Sequence, residues 1–134
     1  MSAQITKSNL LRRALQANGV FSALSGIILI VAAKPLSTRL GLTLPSILIG
    51  VGVSLLVYAA GLFRSGRRET INQVEAYLAV ILDAAWVVGS AVVIFAGVLT
   101  TTGNWVVAIV ADVVLLFALL QIYGLRQMQQ ERVR

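Results

Sequence analysis

Four long apolar runs divide the chain, and each is long enough to cross a lipid bilayer. A hydrocarbon core about 30 Å thick requires roughly 20 apolar residues in a helix, and the runs cover about residues 14–33, 45–63, 74–99 and 105–123. They lack the alternation of a membrane β-strand, and lipid offers the backbone no hydrogen-bond partner. We therefore predict an all-α fold, a four-transmembrane-helix bundle that forms one integral membrane domain over residues 1–134.

Local signals predict where these helices begin and end. Pro35 follows the first run and stops its hydrogen-bond ladder. Thr70 and Gln73 have the spacing of a capping box before the third run, and Asn104 precedes the fourth as an N-cap. Residues 126–134 form a polar tail that we expect to extend the fourth helix.

The basic residues predict the orientation in the membrane. Nine of them fall on one side of the bilayer: Lys7, Arg12, Arg13, Arg64, Arg67, Arg68, Arg126, Arg132 and Arg134. The other side carries Lys34 and Arg39, so the positive-inside rule places both termini in the cytoplasm. The first run follows basic residues, as in a signal peptide, but we predict that it is kept as the first helix.

Composition narrows the class of function. Apolar residues make up 58% of the chain and charged residues 12%, against about 25% charged in a soluble chain. The formal charge of +6 lies between apolar runs and not in one patch, which argues against nucleic acid. Without Cys or His, the chain has no Cys/His zinc site, His-ligated haem or Cys and Ser–His nucleophile. We predict a protein that is not an enzyme, with no metal and no cofactor.

The two halves of the chain match at an offset of 65 residues. Asn18 aligns with Asp83, and Ser25 with Ser90, inside the predicted membrane region. This match indicates a possible tandem repeat of a two-helix hairpin. Chance, together with the constraints that all membrane helices share, is the alternative.

Asp83 is the most informative position, because a charge at the bilayer centre costs about 2.5–3.5 kcal/mol and such residues usually face the bundle interior. We predict an intramembrane polar cluster of five residues: Asp83, Asn18, Ser90, Tyr58 and Gln121. One interpretation is a carboxylate that couples to proton or cation movement. The other is a structural aspartate, hydrogen-bonded to Asn18 or Gln121, or paired with an arginine of the central loop.

Asp112 is a second acid inside a predicted span, about two turns from Trp105. It could serve as a second step in an ion path. The alternative is a structural pair with Lys34 or Arg39, whose long side chains can extend towards it.

Arg64, Arg67 and Arg68 form a basic cluster between the second and third runs. Such a cluster binds anionic lipid headgroups with about 1 kcal/mol per basic residue, or it marks topology alone. Small residues also form three rows that allow close helix packing: Ser46, Gly50 and Ser54; Ser22 and Gly26; Ala85 and Gly89. The rows predict packing within the bundle or, alternatively, a homo-oligomer face.

Two short runs carry a resemblance. Residues 83–90 (DAAWVVGS) and 121–126 (QIYGLR) are similar to those of a loose group of small, uncharacterised bacterial four-helix integral membrane proteins. The resemblance implies a location in the bacterial inner membrane and no particular activity. Small four-helix exporters carry a functional Glu in their first helix, and the first run here has no acidic residue.

These observations favour a small non-enzymatic component of a membrane complex, an accessory or scaffold subunit whose partners are membrane lipids and either another membrane protein or copies of itself. The alternative is an oligomeric transporter or channel that uses Asp83 as its coupling carboxylate. A lipid-binding or lipid-modifying protein is a third possibility.

Overall fold

Five helices make up the regular structure of the part of the chain that can be described. The computed structural model describes the backbone of residues 2–133 and the side chains of residues 10–128. The helices are α1 (Ser2–Val31), α2 (Ala33–Leu40), α3 (Pro45–Arg67), α4 (Gln73–Ala96) and α5 (Thr101–Val133). Four of them, α1, α3, α4 and α5, are long and apolar enough to cross a membrane. The predicted all-α fold with four such helices is therefore confirmed, and the chain is a multi-pass membrane protein by this criterion.

Both terminal helices extend beyond the apolar runs. Helix α1 begins at Ser2, ahead of the predicted residue 14, and α5 continues to Val133. Hydropathy marks where the membrane ends, whereas a helix that has been nucleated adds further residues at little cost. The side chains of Lys7 and Arg132, and the whole of Arg134, lie outside the described residues.

Two of the predicted caps were wrong. Helix α5 begins at Thr101, and Thr100 caps it, because its Oγ1 accepts a hydrogen bond from Gly103 N at 3.0 Å. Asn104 lies inside the first turn. Helix α4 is capped by Asn72, whose Oδ1 accepts a hydrogen bond from the N–H two residues on at 2.9 Å. Each of these two side chains, Asn72 and Thr100, accepts from a backbone N–H group that would otherwise lack a partner at the start of its helix.

The short helix α2 closes one end of the bundle, between the first two spanning helices. Ala33, Ser37 and Leu40 face the bundle at intervals of three and four residues. Gly41 ends the helix with a φ of 86°, a left-handed conformation that glycine adopts without strain. The Leu40 carbonyl then accepts a hydrogen bond from Thr100 N at 3.1 Å, which joins both connections at this end.

Helix α1 is the central element of the bundle. It packs along α3 on one side and along α5 on the other, and α5 also packs along α4. Helices α3 and α4 make few contacts with each other. The four spanning helices therefore follow the order α3, α1, α5, α4, with an open side between α3 and α4.

Glycines bring α1 and α3 into close contact. A Cβ atom built on Gly26 would lie 2.7 Å from the Gly52 carbonyl oxygen, and one built on Gly52 would lie 2.7 Å from the Gly26 carbonyl oxygen. Because neither Gly26 nor Gly52 has a Cβ atom, the two backbones can approach each other this closely. The predicted row on α1 thus contacts α3 through Gly26, and its neighbour there is Gly52, which does not belong to the predicted row of α3.

The small-residue rows of α3 and α4 face away from the bundle. A Cβ atom on Gly50 or Gly89 would meet nothing within 4 Å. The other members of these rows are exposed as well: Ser46, Ser54 and Ala85. These two rows therefore do not pack the helices of one chain together.

The two ends of the bundle differ in charge. The end formed by the beginnings of α1 and α4 and the last turns of α3 and α5 carries Arg12, Arg13, Arg64, Arg67, Arg68 and Arg126. We call it the basic end, and the end that carries α2 the far end. At the basic end an apolar cluster joins all four spanning helices: Leu11, Leu15, Leu62, Ile71, Ala76, Ala79, Leu125 and Met128.

Candidate functional site

Asp83 lies at the centre of a polar network that takes one side chain from each spanning helix. It is on α4 and is 3% exposed. Its carboxylate accepts hydrogen bonds from Asn18 Nδ2 on α1 at 2.8 Å, from Tyr58 OH on α3 at 2.8 Å and from Gln121 Nε2 on α5 at 3.3 Å. We call these four residues the Asp83 network. It joins all four helices at one level of the bundle.

Helical periodicity places these side chains towards one another. The buried positions at the start of α1 follow at intervals of three and four residues: Leu11, Leu15, Asn18 and Ser22. Those of α5 do the same: Val114, Ala118, Gln121, Leu125 and Met128. Because this spacing keeps residues on one face of a helix, each polar residue occupies a position that an apolar core residue would otherwise fill.

Further contacts orient the amide of Asn18. The Ser22 hydroxyl donates to Asn18 Oδ1 at 3.3 Å, which leaves Asn18 Nδ2 to donate to Asp83. The same Nδ2 atom lies 3.5 Å from Tyr58 OH. The Tyr58 hydroxyl is also 3.1 Å from the carbonyl oxygen of Ala79, one turn before Asp83. The side-chain orientations in the network are therefore mutually determined.

The structure brings together four of the five residues predicted for the cluster. Ser90 lies apart, because its hydroxyl donates to the Trp86 carbonyl oxygen of its own helix at 2.8 Å. It is seven residues from Asp83, which corresponds to about 10 Å along a helix. Ser22, which was not predicted for the cluster, contacts the network through Asn18. Its spacing of four residues from Asn18 is the signal that could have identified it.

Every donor to Asp83 is an uncharged side chain. Of the two structural alternatives predicted for Asp83, the geometry matches the hydrogen-bonded one and not a pair with a loop arginine. Arg68 instead forms an ion pair with Glu75 at 3.1 Å. Within the described part of the chain, no group of three acidic, His or Cys residues could hold a metal ion. Hydrogen bonds to the carboxylate offset part of its cost of burial.

One acceptor beside Asp83 is unused. Gln121 is fully buried, and its Oε1 atom has no hydrogen-bond partner among the described residues. Buried polar atoms are usually paired. Gln121 therefore keeps the capacity to accept a further hydrogen bond next to the carboxylate.

A cleft of about 220 Å³ opens between α3 and α4 and reaches Tyr58. It lies on the side where these two helices make few contacts. Its lining residues are Tyr58, Gly61, Leu62, Arg64, Ser65, Glu75, Leu78, Ala79 and Leu82. Glu75 is fixed within it by Arg68 and by the Ser65 hydroxyl, which donates to Glu75 Oε2 at 2.7 Å. The cleft thus leads from the basic end to Tyr58, whose hydroxyl donates to Asp83.

The predicted basic cluster lines an open depression of about 530 Å³ at the basic end, together with Ala60 and Phe63. Arg64 and Arg67 are exposed there, and Arg68 is half-buried. Three cations beside an apolar floor have the chemistry that an anionic lipid headgroup and its first methylene groups require.

Asp112 has a different environment from Asp83. It is exposed on the outer face of α5. In the described part of the chain it makes no hydrogen bond and no ion pair, so neither Lys34 nor Arg39 pairs with it. Asp83 is therefore buried inside the bundle, whereas Asp112 lies on its outer surface.

No protein-family model, curated protein or solved structure matches this chain.

Proposed function

We propose that the protein is a non-enzymatic integral membrane subunit that serves as an accessory or scaffold component of a membrane complex. The observation that carries the proposal is the Asp83 network, in which one carboxylate accepts a hydrogen bond from each of the other three spanning helices. Interhelical hydrogen bonds of this kind hold a bundle together in lipid, where water cannot replace them. The buried polar groups thus have a structural role that accounts for them.

The outward surfaces support the same proposal. The small-residue rows of α3 and α4 face outward, and a Cβ atom on Gly50 or Gly89 would meet nothing within 4 Å. Small residues on an outer face let another helix approach closely. A protein with a rigid interior and such faces is suited to bind other membrane helices.

The proposal includes a location. The excess of basic residues at the basic end supports a cytoplasmic location of both termini under the positive-inside rule, and the resemblance to small bacterial membrane proteins favours the inner membrane. The proposed duplication of a two-helix hairpin is supported by Asn18 and Asp83. They are aligned at the offset of 65 residues and bind each other directly, as residues near a pseudo-twofold axis do.

Native mass spectrometry tests the subunit proposal. The tagged protein is extracted from its own host in native nanodiscs, and the mass of the assembly is measured. We expect a foreign membrane subunit in fixed stoichiometry with this chain. Assemblies that contain this chain and lipid alone would contradict the proposal.

A second candidate is an oligomeric transporter or channel in which Asp83 is the coupling carboxylate. The α3–α4 cleft favours it, because the cleft reaches Tyr58, one of the donors to Asp83. Gln121 Oε1 beside Asp83 is also free to accept from water or to contact a cation.

Asp83→Asn discriminates between the two functions, since it keeps the size of the side chain and removes its charge. Proteoliposomes with an entrapped pH indicator are given a proton or cation gradient, and Gln73→Ala, which lies outside the network, is the control. Ion flux that the native chain shows and Asp83→Asn loses, with unchanged thermal stability, supports the transporter. No flux with the native chain supports the subunit.

The basic cluster supports a lipid contact within either function. We propose that Arg64, Arg67 and Arg68 bind an anionic headgroup in the depression that they line. Replacing all three by Gln is expected to remove bound phosphatidylglycerol or cardiolipin from the native mass spectrum. Replacing Lys34 and Arg39 at the far end is the control and is expected to leave the lipid in place.

A further inference from the structure

Asp112 is exposed at mid-depth on a helix that crosses the membrane. It lies seven residues from Trp105 and eleven from Tyr123, which corresponds to about 10 Å and about 16 Å along α5. A hydrocarbon core about 30 Å thick therefore surrounds it on both sides. An acidic side chain at this depth costs about 2.5–3.5 kcal/mol when it faces lipid, and such residues face protein or water in membrane proteins.

The residues that share the outer face of α5 with Asp112 follow a heptad spacing. They are Trp105, Ile109, Asp112, Leu116, Leu119 and Tyr123, and we call them the α5 seam. Their intervals alternate between four and three residues, the pattern that keeps one face of a helix against a partner helix in a coiled coil. The five seam residues other than Asp112 are 55–68% exposed, so the bundle leaves them uncovered.

The α5 seam lies opposite the face of α5 that packs into the bundle. The residues of the packed face are Ala111, Val114, Ala118, Gln121, Leu125 and Met128, with the same alternation of intervals. At 100° per residue the two series lie about half a turn apart. A partner helix can therefore bind the seam without disturbing the Asp83 network.

We propose that the α5 seam binds the α5 seam of a second copy of this chain, as a parallel pair of helices in which the two Asp112 carboxyl groups hydrogen-bond to each other. Two copies inserted in the same orientation have α5 parallel and Asp112 at the same depth. A protonated carboxyl group is both a donor and an acceptor, and two carboxyl groups at close range share a proton, as catalytic aspartate pairs do. The shared proton comes from the water phase.

The chemistry of the side chain favours a second copy over a foreign helix. A foreign partner would need a donor or a cation at one particular depth, whereas a second copy supplies a matching carboxyl group by symmetry. Large apolar residues precede and follow Asp112 in the seam, and these pack against their counterparts in the same register.

Cysteine cross-linking tests the arrangement, because the native chain contains no Cys. Leu116→Cys and Leu119→Cys each place one thiol in the seam, and Leu24→Cys on α1 and Val88→Cys on α4 are controls on other exposed faces. Native membranes are oxidised and run on non-reducing gels. We expect covalent dimers from the seam variants and monomers from the controls. Equal cross-linking at all four positions, or none in the seam, overturns the proposal.

Asp112 variants test the hydrogen bond itself. The dimer dissociation constant is measured by fluorescence energy transfer between labelled copies diluted in liposomes. We expect Asp112→Asn to keep the dimer, because an amide is also a donor and an acceptor, and Asp112→Lys to abolish it. Asp112→Leu should weaken the dimer by about 3- to 30-fold, the range that membrane hydrogen bonds contribute. A Leu variant as tight as the native chain, or a dimeric Lys variant, overturns the proposal.

The same experiments separate this inference from the proposed function. A foreign subunit that cross-links to Leu116→Cys in place of a second copy overturns the inference and supports the subunit proposal. A dimer of this chain with no foreign subunit supports the inference and contradicts the subunit proposal.

Discussion

Replacing Gly52 by alanine tests the close contact between α1 and α3. The added methyl group would lie 2.7 Å from the Gly26 carbonyl oxygen and 2.8 Å from Ile30 Cγ1. Favourable contacts between carbon atoms lie at about 3.5–4.0 Å, and a backbone carbonyl cannot rotate away as a side chain does. The two helices therefore have to move apart at the level of Gly52.

The cost of that movement can be measured against a matched control on the same helix. Gly50 is two residues away, and a methyl group there would meet nothing within 4 Å. Both variants gain the helix propensity of alanine over glycine, which is about 1 kcal/mol. Overpacking a tight interface costs about 1–3 kcal/mol, so Gly52→Ala should be less stable than Gly50→Ala by that amount.

The assay is unfolding of the two variants and the native chain in bicelles by steric trapping, which reports a free energy under native lipid conditions. Gly26→Ala and the double variant complete a cycle. Either methyl group alone forces the helices apart. We therefore expect the double variant to lose less unfolding free energy than the sum of the two single variants. Equal stabilities for Gly52→Ala and Gly50→Ala would refute the inference that the glycines set the α1–α3 distance.

Three further predictions concern single hydrogen bonds, and unfolding measurements test each. Tyr58→Phe should lower the unfolding free energy by about 0.6–2 kcal/mol, because it removes one donor to the Asp83 carboxylate; no change would mean that the phenol does not hold the carboxylate. Ser22→Ala should destabilise by about 1 kcal/mol, whereas Ser90→Ala should change little because its hydroxyl bonds its own helix; the reverse order would place Ser90 in the network. Thr100→Ala should cost about 1 kcal/mol as a lost N-cap, and Asn104→Ala should cost less; a larger loss for Asn104 would restore it as the cap.

The spanning helices were predictable because lipid imposes a simple rule on the backbone. Twenty apolar residues in a row have one stable solution in a bilayer, and all four runs follow it. The helix ends were less predictable. Thr70 and Asn104 have the residue types of caps, but Asn72 and Thr100 compete for the same role two and four residues away. Thr100 is further favoured as the cap because its hydroxyl donates to the Arg39 carbonyl oxygen at 2.6 Å. Arg39 is distant in the sequence, so this contact could not be predicted from local residue types.

Four members of the polar cluster were predictable from depth alone. Asn18, Tyr58, Asp83 and Gln121 are the polar residues at one level of the predicted bundle, and a buried carboxylate requires donors. Ser90 shares a helix face with Asp83 but not its depth, because it lies about two turns away along α4. Its hydroxyl donates instead to the carbonyl four residues before it, as a serine in a membrane helix readily does.

Asp83 and Asp112 show why the sequence leaves the direction of a polar side chain open. In a soluble helix, the apolar stripe identifies the face that packs inward. In a spanning helix the lipid-facing residues are as apolar as the packed ones, so this contrast disappears, and both aspartates have apolar neighbours before and after them in the sequence. Helix order decides the matter: α5 packs between α1 and α4 through Ala118 and Gln121, which turns Asp112 outward. An interior carboxylate can be satisfied within one chain, whereas an outward one at mid-depth needs protein or water around it, and this need is the physical argument for the proposed pairing through α5.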